Sequence, residues 1–214
     1  MKLLLTSTGI TNESLRNKLI EMVGKQPGEM TVAYVPTAFN TSSKPDKRWA
    51  IDNIIRLNEM KVANIDIVDF SAIPVELWLP RMERSDVIYV EGGSPTYLAD
   101  EMREANFIEI LNTKLADKVY VGCSAGSNVL GKIIIKSMKN EPGYKSEAGF
   151  GLVDFSIRPH FLRKDRTLFT GAFIQSLAKK LETTIYAIDD DSGIAVEGDK
   201  IEIISEGRWK KFEK

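Results

Sequence analysis

Apolar residues recur along the chain in short runs that alternate with longer segments of mixed polar and apolar character. The runs are four to six residues long and rich in β-branched residues, which is typical of β-strands. They are almost continuously apolar, as strands covered by helices on both faces should be, and this favours a parallel sheet. The predicted strands are residues 3–7, 31–35, 65–70, 87–90 and 119–122.

The segments between these strands carry helix start signals. A polar stretch at 11–14 precedes regularly spaced apolar residues, and Pro74 and Pro95 open predicted helices at 75–82 and 96–103. Strand and helix therefore alternate along this part of the chain. The alternation predicts an α/β fold, a three-layer sandwich with a mostly parallel sheet, in a single domain that spans residues 1–214.

The pattern becomes less regular after residue 122. Short strands and loops are expected there, including an apolar run at 133–135 and a Pro/Gly stretch at 141–144. A helix is predicted at about 167–182, followed by a strand at 184–188. The last part of the chain resembles a β-meander, with predicted strands at 193–196, 200–205 and 208–212.

One predicted strand ends in a Gly-x-Ser-x-Gly pattern, formed by Gly122, Ser124 and Gly126, and a helix is expected to begin just beyond it. Strand, turn and helix in this order are the context of a nucleophile elbow. Such a turn forces the nucleophile into a strained backbone conformation and needs small neighbours, which Gly122, Ala125 and Gly126 provide. Ser124 is therefore predicted to be a nucleophile.

Cys123 is the competing nucleophile, because a thiolate is intrinsically more reactive than a hydroxyl. It lies one residue before Ser124 and should therefore point into a layer that flanks the sheet. We interpret Cys123 as a small buried apolar residue.

A serine nucleophile needs a base, and His160 is the only histidine in the chain. It follows Pro159, at the end of a predicted short strand. A carboxylate should orient the imidazole, and three aspartates follow the predicted strand at 184–188, where the sites of open α/β sheets collect. Asp189, Asp190 and Asp191 are the candidates for this acid.

Acyl transfer also needs N–H groups that stabilise an oxyanion. The backbone amide of Ala125 is one candidate, since it lies at the start of the helix after the nucleophile. The second would come from the glycine turn after the strand at 87–90, from Gly92 or Gly93. Neither of the common phosphate-binding glycine motifs is present.

Composition narrows the function classes. The chain carries 29 Lys and Arg against 30 Asp and Glu, a net charge of −1, so we expect neither a nucleic-acid partner nor a membrane surface. The single cysteine cannot form an internal disulfide, and the apolar start of the chain is too short for a signal peptide, so a cytoplasmic location is expected. With one histidine and no zinc-like spacing, we expect no metal and no cofactor. A monomer and a homodimer both remain open.

Three motifs together resemble the peptidase E and cyanophycinase family of serine peptidases. They are Gly-Cys-Ser-Ala-Gly-Ser-Asn at 122–128, Gly-Gly-Ser-Pro-Thr-Tyr-Leu at 92–98 and Pro-His-Phe at 159–161. The resemblance covers about residues 1–212 and implies a class I glutamine-amidotransferase-like, flavodoxin-like fold. It also implies a serine dipeptidase that removes an N-terminal aspartate from Asp-X dipeptides.

By this resemblance Ser124 is the nucleophile, His160 is the base, and Gly93 and Ala125 supply the oxyanion amides. The acid lies near Asp190, with Asp189 and Asp191 as alternatives. A short peptide with an N-terminal aspartate needs a cation for its carboxylate and an acceptor for its amino group. The candidates for these two roles are Arg158, Arg163, Lys164 and Arg166 for the carboxylate, and Glu91 for the amino group.

Other functions remain open at this stage. The chain could be a cyanophycinase-like enzyme that cuts β-aspartyl-arginine links, or another amidase or esterase of the same fold. It could keep Ser124 and His160 without a productive site and act as a binding protein. It could also be a cysteine-dependent amidotransferase or a chaperone-like member of the fold, which would require Cys123 to be reactive.

Overall fold

The computed structural model describes residues 1–41, 46–137, 143–164 and 168–214. A seven-stranded sheet forms its centre, with the strand order β11-β10-β1-β5-β4-β2-β3. The strands β1, β5, β4, β2 and β3 run parallel. At one edge β10 pairs antiparallel with β1, and β11 pairs antiparallel with β10. The strands of this sheet are β1 Lys2–Thr6, β2 Thr31–Val35, β3 Asn64–Ile67, β4 Val87–Val90, β5 Val119–Cys123, β10 Ser192–Glu197 and β11 Lys200–Ser205.

Helices cover both faces of this sheet. Side chains alternate between the faces, so that Leu3 and Leu5 belong to one buried cluster and Leu4 to another. Helices α3, α4 and α5 pack into the first cluster, and α1 and α2 pack into the second. The helices are α1 Glu13–Val23, α2 Arg48–Glu59, α3 Val75–Glu83, α4 Pro95–Glu104, α5 Phe107–Thr113, α6 Ala125–Asn128 and α7 Gly171–Lys180.

A smaller unit follows the elbow. Strands β6 (Ile133–Ser137) and β7 (Tyr144–Ala148) form a hairpin. Strands β8 (Ser156–Arg158), β9 (Ile185–Ile188) and β12 (Trp209–Phe212) form a three-stranded sheet in which β8 and β9 are parallel. A third buried cluster, which includes residues of α7, packs beneath this sheet.

The parallel, three-layer α/β prediction is confirmed, and the five predicted parallel strands are found at nearly the predicted residues. The predicted β-meander is wrong in its last strand. β10 and β11 form a hairpin on the main sheet, but β12 pairs with β9, because Phe212 is buried in the third cluster.

The helix expected after the elbow is present as a single turn, Ala125–Asn128. The bounds of one predicted helix are corrected. Helix α7 is shorter than the predicted 167–182 and begins at Gly171, where the side chain of Thr170 accepts a hydrogen bond from the Phe173 N–H. Parts of the predicted segments at 141–144 and 167–182 lie outside the described residues. Within the described residues, none of the helices has the length and apolar character needed to cross a membrane.

Candidate active site

Ser124 occupies the turn between β5 and α6 with φ 48° and ψ −98°. A residue with a side chain rarely adopts this region, and such strain is characteristic of a nucleophile elbow. The Ser124 N–H donates to the carbonyl of Thr6 at the end of β1, 3.1 Å away. The strained turn is therefore fixed to the neighbouring strand, and the elbow geometry expected from the sequence is present.

The two glycines of the motif are required by close packing. A Cβ atom on Gly126 would lie 2.3 Å from the carbonyl oxygen of Val90, and one on Gly122 would lie 2.7 Å from the backbone nitrogen of Ser127. Neither contact leaves room for a side chain. Backbone therefore packs directly against backbone on both sides of the nucleophile.

Ser124, His160 and Asp190 form a hydrogen-bonded row. Ser124 Oγ lies 3.0 Å from His160 Nε2, and His160 Nδ1 lies 2.6 Å from Asp190 Oδ1. An ionised carboxylate can only accept a hydrogen bond, so Nδ1 carries the ring proton and Nε2 can accept the proton of Ser124. The row thus has the geometry of a nucleophile, a base and an orienting acid.

The other two aspartates have different positions. Asp189 faces the turn, where its carboxylate accepts hydrogen bonds from the Ser192 hydroxyl at 2.6 Å and from the Arg208 N–H at 2.5 Å. Asp191 is exposed, and its carbonyl oxygen accepts from Asn12. Of the three candidates, the structure brings Asp190 to His160.

Two hydroxyl residues at the end of β1 complete the arrangement, and the sequence analysis did not identify them. Ser7 is buried; its Oγ accepts the His160 backbone N–H at 2.9 Å and donates to Asp190 Oδ1 at 3.0 Å. Thr8 Oγ1 donates to the same oxygen at 2.7 Å. The sequence feature that pointed to them is a Ser-Thr pair at the carboxyl end of a predicted parallel strand, where the sites of such sheets collect.

The pKa of Asp190 is lowered relative to an ordinary aspartate. Partial burial raises the pKa, but the hydrogen bond and charge of His160, together with the hydroxyls of Thr8 and Ser7, lower it by more. Asp190 is therefore ionised at neutral pH and can stabilise a positive charge on the His160 ring.

The candidate cations that the structure describes have different surroundings. Arg163 lies behind the row, with Nη1 3.9 Å from Asp190 Oδ2 and 3.4 Å from His160 Nδ1. Arg158 is buried, and its guanidinium carbon lies 3.5 Å from the centroid of the Phe169 ring. Lys164 is exposed, and Arg166 lies outside the described residues.

Glu91 is positioned differently from the expectation that it receives a substrate amino group. It is completely buried, and its carboxylate accepts hydrogen bonds from the Gly92 N–H, the Tyr34 hydroxyl and the Asn53 amide. Burial raises its pKa, although these hydrogen bonds partly oppose the effect. A carboxylate without exposed surface cannot contact a substrate directly, so this expectation is corrected.

Cys123 is buried, as expected, and packs in the cluster between the sheet and helices α1 and α2. Burial and the nearby Glu91 raise the pKa of its thiol well above the ordinary value. The reactive form of cysteine is the thiolate, so this environment makes Cys123 a poor nucleophile.

One expected oxyanion amide, that of Ala125, directly follows Ser124 in the chain, and the other, that of Gly93, belongs to the glycine turn. A Cβ atom on Gly92 would lie 3.2 Å from Ser124 Cβ, so the glycine turn packs against the nucleophile. The Gly92 N–H donates to Glu91 Oε1. Within the described part of the chain, the N–H groups of Gly93 and Ala125 have no protein acceptor. Of the two glycines, Gly93 is therefore the one whose N–H is available to an oxyanion.

The fold and the site together define an α/β protein that carries a serine on a nucleophile elbow. The sequence profile of Peptidase family S51 matches residues 3–204. The chain therefore belongs to Peptidase family S51.

Sequence relatives are distant. An uncharacterized peptidase of Listeria monocytogenes is 24% identical over 80% of this chain and 84% of its own length. An uncharacterized peptidase of Pasteurella multocida is 24% identical over 61% of this chain, and Peptidase E of Shewanella amazonensis is 26% identical over 57%. These two matches span 65% and 55% of the relatives' own lengths.

Two crystal structures have a similar fold. A candidate peptidase E protein from Listeria monocytogenes superimposes with a TM-score of 0.74 at 22% identity, covering 96% of this chain and 98% of that chain. A peptidase from an acI-B1 Actinobacterium gives a TM-score of 0.66 at 19% identity, covering 99% and 93%. At these identities the comparison establishes the shared fold.

Proposed function

We propose that this protein is a serine peptidase that cleaves short peptides, with dipeptides of the Asp-X kind as its substrates. The observation that carries the proposal is the hydrogen-bonded row from Ser124 Oγ through the His160 ring to Asp190 Oδ1. The strained backbone of Ser124 supports it further, since strain of this kind is concentrated at functional sites.

The proposed reaction follows from the roles of these groups. His160 Nε2 takes the proton of Ser124 Oγ as the oxygen attacks the peptide carbonyl, and Asp190 stabilises the resulting imidazolium. The N–H groups of Gly93 and Ala125 hold the tetrahedral oxyanion. His160 then gives its proton to the leaving amine, and a water molecule activated by the same ring releases the acyl group.

The substrate class is a separate part of the proposal from the serine chemistry. It follows the resemblance of the three sequence motifs to peptidase E-type enzymes, and one relative is a Peptidase E. The Asp-X preference is therefore tested separately from the serine chemistry.

The experiment is release of free amino acid from a panel of Asp-X, Glu-X, β-aspartyl and neutral dipeptides by the wild type, Ser124→Ala and Cys123→Ala. We expect selective Asp-X turnover that falls by about 10³-fold or more in Ser124→Ala. Cys123→Ala is the matched control, one residue away, and should keep the activity of the wild type.

The outcomes separate the alternatives. Ser124-dependent turnover of β-aspartyl or neutral dipeptides would overturn the Asp-X preference and retain the serine peptidase. Loss of activity in Cys123→Ala but not in Ser124→Ala would reverse the assignment of the nucleophile. No turnover by the wild type of any dipeptide in the panel would contradict the dipeptidase proposal.

A further inference from the structure

Glu91 forms the centre of a buried polar cluster directly behind the glycine turn. Its Oε1 accepts the Gly92 N–H at 2.6 Å, and its Oε2 accepts from the Tyr34 hydroxyl at 2.6 Å and the Asn53 amide at 2.9 Å. These donors come from β2, α2 and the turn itself. A carboxyl group with no exposed surface is destabilising unless it is hydrogen-bonded in this way. These three hydrogen bonds therefore offset the desolvation of Glu91.

The backbone amides of the glycine turn differ in whether they have a protein acceptor. The N–H groups of Glu91 and Ser94 donate to backbone carbonyls of β2 and of the segment after it, at 3.0 Å and 2.8 Å. The Gly92 N–H donates to the Glu91 side chain. Of these four consecutive amides, only that of Gly93 lacks a protein acceptor within the described residues, and Gly93 is exposed.

Building on the proposed serine chemistry, we infer that Glu91 is a positioning residue for the oxyanion. By binding the Gly92 N–H, the carboxylate fixes the peptide unit between Glu91 and Gly92. This unit adjoins the peptide unit that carries the Gly93 N–H, so it restricts how that N–H is oriented relative to the reacting carbonyl. The turn packs against the nucleophile, since a Cβ atom on Gly92 would lie 3.2 Å from Ser124 Cβ. A small displacement of Gly92 therefore moves a donor at the point where charge develops.

Glutamine is the same shape as glutamate but does not fit this hydrogen-bond pattern. Asn53 Oδ1 accepts from Arg56 Nη1 at 2.8 Å, so Asn53 must present its NH₂ group to residue 91. A glutamine there would place its own NH₂ group either against that of Asn53 or against the Gly92 N–H. In either orientation two donors face each other, and the second orientation also releases Gly92.

Exchanging the two side-chain types restores the pattern. In the double variant Glu91→Gln with Asn53→Asp, the glutamine oxygen accepts the Gly92 N–H and its NH₂ group donates to the new carboxylate. That carboxylate remains beside Arg56. The double variant moves the buried acid from one side of the cluster to the other but keeps an acceptor on Gly92.

The experiment compares the wild type, Glu91→Gln, the double variant, Ser124→Ala and Tyr34→Phe. Labelling of Ser124 by an alkyl fluorophosphonate is measured together with dipeptide turnover. In the labelling reaction the serine oxygen displaces fluoride from phosphorus, so it reports the nucleophile and the oxyanion donors without a peptide substrate. Tyr34→Phe removes a donor to the opposite oxygen and controls for general loosening of the cluster.

We expect Glu91→Gln to lower both the labelling rate constant and kcat by roughly tenfold or more, with KM within about twofold, because the affected donor acts in the transition state. The double variant should return both to within about threefold of the wild type. Tyr34→Phe should lower the Tm and leave the labelling rate within about threefold. A merely structural role would lower the Tm in Glu91→Gln without this separation of kcat from KM.

The inference is overturned if Glu91→Gln folds and its labelling rate is unchanged. It is also overturned if the double variant folds and its labelling rate stays tenfold below that of the wild type. In both cases the serine chemistry stands. If Glu91→Gln does not fold, the double variant carries the test by the same criterion. If the wild type is not labelled at Ser124, the proposed function itself fails, and the role of Glu91 fails with it.

Discussion

Three consecutive aspartates differ at the residue scale only in what their side chains contact. Asp190 accepts hydrogen bonds from His160 Nδ1 and from two hydroxyls of the β1 end, whereas Asp189 closes the local turn and Asp191 is exposed. Their chemistry is identical, so their roles depend on the direction in which the loop after β9 points each carboxylate.

Asp190→Asn should lower kcat by roughly 10³–10⁴-fold with little change in KM, because an amide no longer selects the productive ring tautomer or stabilises the imidazolium. Asp191→Asn, one residue away, should stay within about threefold of the wild type. Steady-state kinetics of the two variants at one pH checks this. Equal losses in both would show that Asp190 is not the orienting acid.

The sequence was sufficient to predict that Ser124 and His160 act together, because each belongs to a local pattern and the chain has one histidine. The structure places Ser124 Oγ 3.0 Å from His160 Nε2. It could not select Asp190 among three neighbours, since that choice depends on loop geometry. Ser7 and Thr8 were missed for a related reason: they act on Asp190, which is more than 180 residues away in the chain. Only the strand order of the sheet brings the two ends together.

The stability of the elbow depends on glycines, because backbone atoms occupy the positions where side chains of Gly122 and Gly126 would lie. Helix α6 is a single turn, and it packs against β4 through backbone at Gly126. The side chain of Ser127 reinforces this contact by donating to the carbonyl oxygens of Thr6 and Gly122, at 2.7 Å and 2.8 Å. The strain at Ser124 is therefore maintained by contacts with three strands.

Gly126→Ala should lower the free energy of unfolding by about 1–3 kcal/mol or more, because its Cβ atom would overlap the Val90 carbonyl 2.3 Å away. Activity should fall with it, since the shifted backbone carries Ser124. Urea unfolding monitored by circular dichroism, together with turnover, tests this.

Gly171→Ala is the matched control for this substitution. Its Cβ atom would make an ordinary contact 3.7 Å from Phe212, at the start of α7. Its stability should be unchanged or higher by up to about 1 kcal/mol. Equal destabilisation by both substitutions would contradict the packing argument.

Elements with a regular apolar pattern were predicted well. The continuous apolar runs of the parallel strands and the spaced apolar residues of α1, α3 and α4 are examples. The strand β12, Trp209–Phe212, lies where a strand was predicted, but the prediction that it is the third strand of a meander failed. Its pairing with β9 accompanies burial of Phe212 in the third cluster, to which α7 and β9 also contribute. Local periodicity carries no information about such a choice.

At the scale of the whole molecule, the site is assembled where the main sheet and the smaller sheet adjoin. Ser7 and the elbow directly follow β1 and β5 of the main sheet, and the loops after β8 and β9 supply His160 and Asp190. The glycine turn is held from the other side by the segment after β2, which Asp69 fixes through the hydroxyl of Thr37. Two carboxylates, the half-buried Asp69 and the buried Glu91, therefore connect the stability of the fold to the site.

Asp69 and Glu91 should affect the dependence of stability on pH with opposite signs. Burial raises the pKa of Asp69, but hydrogen bonds from Thr37, Asn40 and Ser71 lower it below its usual value. The unfolded chain then binds more protons, so this contribution is present above about pH 4 and is lost as the pH falls. Burial raises the pKa of Glu91, so its contribution is largest below about pH 4 and is lost as the pH rises through the folded value.

Urea unfolding of the wild type, Asp69→Asn and Glu91→Gln between about pH 3 and pH 8 measures both contributions. The stability advantage of the wild type over Asp69→Asn should grow as the pH rises from 3 to 5, whereas its advantage over Glu91→Gln should shrink toward pH 8. A difference of about one in pKa between the folded and unfolded states corresponds to about 1.4 kcal/mol. If the stability difference between the wild type and the variant changed with pH in the same direction for both variants, this account would be contradicted. The pKa values of the two carboxyl groups would then not be shifted in opposite directions.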